Sequence, residues 1–223
     1  LSENMMSSVE FFRQQVNQMH EQLRGEFTIG IINNLVTQPM MRITHALQKL
    51  RADGPNIRIN LSMCTPAEIE RGLIDGHLHT GALPLISPLS GLNYRPLYEE
   101  KSSLYCGHTH PLFHYQGDPG PELLSSLDAV VPSCRMTAET IRLHQQLNGS
   151  ATATDREGIA FLILTGKFVG YLPEHYANLW LEKNMMRALA PDTLSFSTTI
   201  AVATRKGHRP NAILDLFMRS LEH

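Results

Sequence analysis

No part of this 223-residue sequence stays apolar for the roughly 18 positions that a membrane helix needs, so no transmembrane span is expected. The opening, LSENMMSSVEFFRQ, lacks both the basic and the apolar region of a signal peptide. Charge of neither sign dominates. Nineteen Lys and Arg against 21 Asp and Glu leave a net charge of −2, which gives nucleic acid or an anionic membrane no electrostatic reason to be a direct partner. Cysteine is scarce and odd in number. Cys64, Cys106 and Cys134 lie far apart, and reduced thiols in a cytoplasmic protein are expected rather than a disulfide framework. Catalytic signatures are missing as well. No G-x-S-x-G or paired-acid pattern is present, and Gly166-Lys167 lacks the upstream glycine and the following Ser or Thr of a phosphate loop. No enzyme is expected, and no catalytic residue, metal or cofactor is assigned.

The apolar fraction of 42% and the charged fraction of 18% suit an ordinary soluble core, in a chain long enough for one or two compact units. The clearest periodicity lies at the N-terminus. Met5, Val9, Phe12, Val16, Met19 and Leu23 follow one another at alternating spacings of four and three, a heptad seam bordered by polar residues. Gly25 is expected to end this helix. So narrow a stripe suits a partner helix better than a globular core, and the β-branched Val at one seam position favours two strands. The last residues, Leu221-Glu222-His223, read as the start of an expression-tag remnant, and 222–223 are set aside. With a helix already under way and no initiator Met, the chain is expected to be a fragment.

Past Gly25 the pattern alternates between strand and helix. Phe27 to Ile32 is β-rich. A helix is expected from Pro39, at its first turn, to Ala52, with Met40, Ile43, Leu47 and Leu50 at helical spacing. Ile57 to Leu61 alternates as a strand. Thr65-Pro66-Ala67-Glu68 is a capping box that opens the next helix, and His79 to Ile86 is a third extended run. Leu92 to Leu112 reads as largely extended. A second alternation follows: strand 129–131, helix 138–147, a short extended stretch 152–154, helix 156–165, strand 168–172 and helix 174–183. A strongly β run from Phe196 to Thr204 and a terminal helix from Pro210 to Leu221, with Ile213, Leu214, Phe217 and Leu221 inward, complete the chain. This is an α/β protein with parallel strands and helical crossovers.

Cys106, His108 and His110 would share one face of a strand and invite comparison with a zinc site. No carboxylate or further cysteine lies close in sequence, so a metal-dependent enzyme built on them is the weaker reading.

Gly25-Glu26-Phe27-Thr28-Ile29-Gly30, Leu97-Tyr98-Glu99-Glu100-Lys101 followed by His110-Pro111-Leu112, and Thr165 to Pro173 (TGKFVGYLP) occur in the order and spacing of LysR-type effector domains, which the whole chain resembles. His79 stands where that family usually has Asp, and Val169 and Tyr171 flank Gly170 where smaller or aliphatic residues are usual. The resemblance implies a type 2 periplasmic-binding-protein-like fold: two α/β subdomains joined by two crossover strands and preceded by a linker helix. The linker or dimerisation helix would occupy 1–24, regulatory subdomain I 25–99 with 202–221, and subdomain II 100–201. The crossings are expected near Tyr98–Lys101 and Ile200–Ala203. The implied partners are a small-molecule effector, further copies in a homodimer or tetramer, and promoter DNA, reached only through an N-terminal winged helix-turn-helix absent from this sequence; no membrane partner is implied. A transporter-type solute-binding protein of the same fold is the main rival. The heptad helix and the missing signal peptide count against it.

Open α/β sheets bind ligands beyond the carboxyl ends of their strands, where helix N-termini supply free amides and partial positive charge. The loops so placed carry Asn33, Asn34, Val36 and Thr37 after the first strand, Thr65 before the second helix, and Ser133, Cys134, Arg135 and Met136 before the helix at 138. Ala203, on the second crossing, completes the candidate ligand-binding set. The resemblance places effector contacts in these same loops. Arg135 is suited to a two-point bond with a ligand carboxylate.

Overall fold

The computed structural model describes residues 2–21 and 23–222. The chain runs α1 (Ser2–Glu21), β1 (Arg24–Ile31), α2 (Arg42–Asp53), β2 (Asn56–Met63), α3 (Pro66–Ile74) and β3 (Thr80–Pro84) into the long β4 (Leu92–Gly107). It continues with α4 (Pro121–Ser126), β5 (Asp128–Pro132), α5 (Ala138–Gln145), β6 (Asn148–Ala153), α6 (Arg156–Leu164) and β7 (Gly170–Pro173). Then follow α7 (Glu174–Leu181), β8 (Met186–Ala188), the second long strand β9 (Ser195–Arg205) and α8 (Ala212–Ser220).

Three clusters of buried apolar side chains define two lobes, one cluster in the first lobe and two in the second. In the first lobe β1 pairs in parallel with β2 and β3, and β3 pairs antiparallel with β9. Phe27, Ile29, Leu50, Ile69, Leu73 and Phe217 fill its core. Burying Phe217 completely is worth about 1.5–3 kcal/mol, and the inward face of α8 is the one that the 3.6-residue period picks out. α3 lies close on the sheet because Gly30 and Gly81, paired across β1 and β3, present no side chain to Ile69. In the second lobe β5 and β6 form a parallel pair joined to the Val169 backbone, while β7 and β8 pair antiparallel with β4.

β4 and β9 run antiparallel from Leu92↔Arg205 to Ser103↔Ser195, with one irregularity between Pro96 and Tyr98. Leu97 and Tyr98 pack in the first lobe and Leu104 in the second, so β4 passes from one core to the other between Tyr98 and Leu104. On β9 the change falls between Phe196 and Ile200, a few residues earlier than expected. Ala203, instead of lying at the crossing, is fully buried in the first lobe, where its carbonyl accepts a hydrogen bond from the Thr80 hydroxyl at 2.9 Å.

Several local expectations differ from the fold. α2 begins at Arg42, not Pro39: Met41 takes a left-handed conformation (φ 50°) just before it, so Pro39 and Met40 belong to turns. Such a conformation prevents a helix running through from Pro39 whatever the proline favours. α1 is described over Ser2–Glu21, and Gly25 lies inside β1 at φ 135° and not at a helix end. Along the seam Met5, Val9 and Phe12 are exposed, Leu23 packs on the first core, and the Met19 side chain lies outside the described residues. α4 and β8 interrupt stretches with no clear periodic signal. β4 ends at Gly107, which puts His108 and His110 in the turns beyond it instead of sharing a strand face with Cys106. His110 Nδ1 accepts from the Leu112 amide at 3.0 Å, and Cys106 is sealed in the second core. Among the described residues no group of three His, Cys, Asp or Glu side chains is placed to hold a metal ion. At the C-terminus Glu222, set aside as tag, pairs with Arg95 at 2.7 Å, and His223 lies outside the described residues.

Candidate functional site

Three strand-to-helix loops that face the gap between the lobes open helices with a side-chain cap, whereas α2 and α7 have none. Thr65 accepts from the Glu68 amide, and Glu68 returns the bond to the Thr65 amide. Thr137 caps α5 through the Thr140 amide, and Asp155 caps α6 through the Gly158 amide at 2.8 Å. Each cap takes one of the four amides that a helix start leaves without partners, so first-turn donors remain. These helix starts surround a cavity of about 320 Å³, of a size suited to a small organic molecule. Apolar side chains, among them Ile32, Pro84, Ile86, Met136 and Phe196, make up much of its wall, with Ser102, Thr154 and Thr198 as interspersed hydroxyls.

One buried charge organises the floor. Glu100, on β4 between the lobes, has a side chain only 1% exposed. Arg156 at the start of α6 grips both its oxygens, and the His175 Nε2–H donates to Oε2 at 2.7 Å. Burial alone would raise the Glu100 carboxyl, but the bonds from His175 and Arg156 outweigh it and hold the group below its ordinary value. The same cluster ties the lobes together. His175 Nδ1 lies 2.7 Å from the Thr37 hydroxyl, and the Asn33 side-chain amide donates to Asp155 at 2.7 Å.

Of the ten residues singled out in the sequence, Asn33, Thr65, Cys134, Arg135 and Met136 line the cavity. Among the described residues that form its wall, Asn34, Val36, Thr37, Ser133 and Ala203 do not appear. Asn34 sits at φ 68°, Val36 turns to solvent at 74% exposure, Thr37 is engaged with His175, and the Ser133 amide bonds to the Ala153 carbonyl. Arg135, expected to hold a carboxylate, lies 4.0 Å from Glu70 of α3 across the mouth of the cleft. The Glu100–Arg156–His175 cluster escaped the sequence reading. Asp155 at the start of an apolar helix marks the cap of α6, but no local signal points to the cluster itself. In the second lobe His144 and Tyr171 also reach the cavity wall.

A sequence model described as the LysR substrate binding domain matches residues 20–223. The HTH-type transcriptional activator BauR of Pseudomonas aeruginosa (strain ATCC 15692) is 52% identical over 221 residues, which is 99% of this chain and 72% of that protein. The effector binding domain of QuiR, solved in complex with shikimate, superposes with a TM-score of 0.72 at 12% identity, covering 89% of this chain and 96% of that one. Full-length CbnR, solved with its target DNA, gives 0.67 at 15% identity, covering 99% and 79%. At such identities these two solved structures bear on the fold.

Proposed function

The chain belongs to the LysR substrate-binding family, as the effector-binding domain of a LysR-type regulator, and from that premise we propose that it takes a small organic anion into the cleft between its lobes. The observation that carries the reading is the convergence of the α3, α5 and α6 N-termini on one cavity of about 320 Å³. Thr65, Arg135 and the first-turn amides are the groups assigned to the anion, with Asn33, Cys134 and Met136 beside them. Asn34, Val36, Thr37 and Ser133 act at most indirectly, through the loops they shape, and Ala203 acts only through the first core.

Effector binding shifts the balance between lobe arrangements by as much as its affinity for them differs. The response reaches promoter DNA through an N-terminal winged helix-turn-helix. BauR, at 52% identity, is described as an HTH-type activator, and the CbnR structure holds DNA. The exposed Met5, Val9 and Phe12 of α1 suit pairing with α1 of a second copy, giving a dimer or a tetramer built from dimers. Work on DNA sets the protein in the cytoplasm and requires no turnover of the effector. Among the described residues no helix is long and apolar enough to cross a membrane.

A thermal-shift screen of metabolite carboxylates tests this. Hits should raise the unfolding midpoint of the native protein and fail with Thr198→Trp, which fills the cleft, while Arg135→Ala weakens them about tenfold or more. A screen with no hits, or hits indifferent to Thr198→Trp, overturns the assignment of the cleft. Indifference to Arg135→Ala alone removes that residue from the anion contact.

A further inference from the structure

Two residues of the cavity wall each hold a buried polar atom without a hydrogen-bond partner among the described residues: His144 Nε2 on α5 and the Tyr171 hydroxyl on β7. Their residues are 6% and 4% exposed, and the rings lie side by side with centroids 5.1 Å apart. Phe196 continues the wall, 5.4 Å from Tyr171. Leaving such atoms unpaired costs about 1–3 kcal/mol each, so two orphans on one cavity wall call for an explanation.

The chemistry of the pair is fixed by its surroundings. His144 Nδ1 lies 2.8 Å from the Thr140 carbonyl, which only accepts, so Nδ1 carries the hydrogen. Burial holds the imidazole below its ordinary value against the opposing pull of that bond, so the ring is neutral at pH 7. Nε2 is therefore a bare acceptor. Tyr171 offers a hydroxyl, which burial alone pushes up and keeps protonated. Among the described residues no charged side chain acts appreciably on either group.

We infer that the effector carries a hydroxyl, placed between His144 Nε2 and the Tyr171 hydroxyl, and that this pair makes the sensor selective for hydroxylated organic acids over their deoxy counterparts. A ligand hydroxyl donates to Nε2 and accepts from the phenol through a single atom. A ketone or carboxylate oxygen only accepts and would face the Nε2 lone pair. An ammonium would be stranded here without a counter-charge. A deoxy ligand leaves both protein atoms unpaired, which is how a polar site rejects an analogue. The inference rests on the cleft being the effector site.

The test is calorimetry on the native protein with paired acids: malate and succinate, lactate and propionate, 4-hydroxybenzoate and benzoate, within a wider library of such pairs. In at least one pair the hydroxylated acid should bind about tenfold or more tightly. His144→Phe and Tyr171→Phe, which keep a ring in place, should each erase that preference, bringing the affinities of the hydroxylated acid and its deoxy partner together. Unchanged unfolding midpoints for the two variants guard against a folding defect, and the single variant that folds suffices. Hydroxyl-blind binding that Thr198→Trp abolishes overturns this inference and leaves the cleft assignment standing. A preference that survives both ring variants also overturns it. Binding of no acid, or binding indifferent to Thr198→Trp, overturns both.

Discussion

Arg156, at the first position of α6, holds Glu100 of β4 by both carboxylate oxygens, 56 residues away in the chain. The pair sits where the lobes meet, and His175 completes the satisfaction of the buried carboxylate. A buried charge so held is costly to disturb from one side only. Glu100→Ala strands Arg156 and should lose about 3–5 kcal/mol, read from urea unfolding. Glu100→Gln keeps hydrogen-bonding capacity and should lose less. Equal and small effects for both would show that the cluster adds little to the fold.

Acid should weaken the protein in two windows. The Glu100 carboxyl is held below its ordinary value, so its contribution is present in full above the unfolded carboxylate value and is lost as pH falls through the lower folded one. His144 and His110 are buried and held below the ordinary imidazole value. The unfolded chain protonates them first, so stability falls as pH drops below about 6.5 and levels once the folded values are passed. Unfolding midpoints followed from pH 8 to pH 3 check this. His144→Phe should flatten the upper window, and Glu100→Gln the lower.

The contacts of Asn33 with Asp155 and of Thr37 with His175 join loops of one lobe to helix starts of the other. Asn33→Ala removes one tie and leaves the Asp155 cap on Gly158 in place. It should cost only about 1 kcal/mol of stability, yet raise hydrogen exchange around residues 33–37 and at the start of α6. Unchanged exchange at both places would mean that the tie does not restrain the lobes.

Gly81→Ala should destabilise by about 1–3 kcal/mol in thermal or urea unfolding. The added methyl would collide with Ile69 and come within 3.0 Å of the Gly30 carbonyl oxygen, a backbone atom with little room to retreat. Ala at Gly120, where a methyl meets nothing within 4 Å, is the matched control and should be close to neutral.

What could be read from the sequence was what is local. The Thr65 capping box and the inward face of α8 depend on residues within one or two turns, and both stand in the structure as expected. The parallel strands likewise follow from their alternation with helices. Pro39 misled because a preference for the first helical turn was overridden by the left-handed Met41 two residues later. Loop position told less than strand position: Val36 and Thr37 share a loop with Asn33, yet one meets solvent and the other a histidine 138 residues away. The Glu100 cluster and the His144–Tyr171 wall join residues whose proximity comes only from tertiary packing, and nothing in their immediate neighbourhood in the chain announces it.

The paired β4 and β9 restrict what motion the lobes can have. Sliding one strand past the other by a single residue would turn every side chain to the opposite face and break the ladder from Leu92 to Ser103. The ladder is interrupted between Pro96 and Tyr98, where its register shifts. Any rearrangement of the two halves that keeps this ladder intact is therefore a twist of the ribbon and not a slide along it.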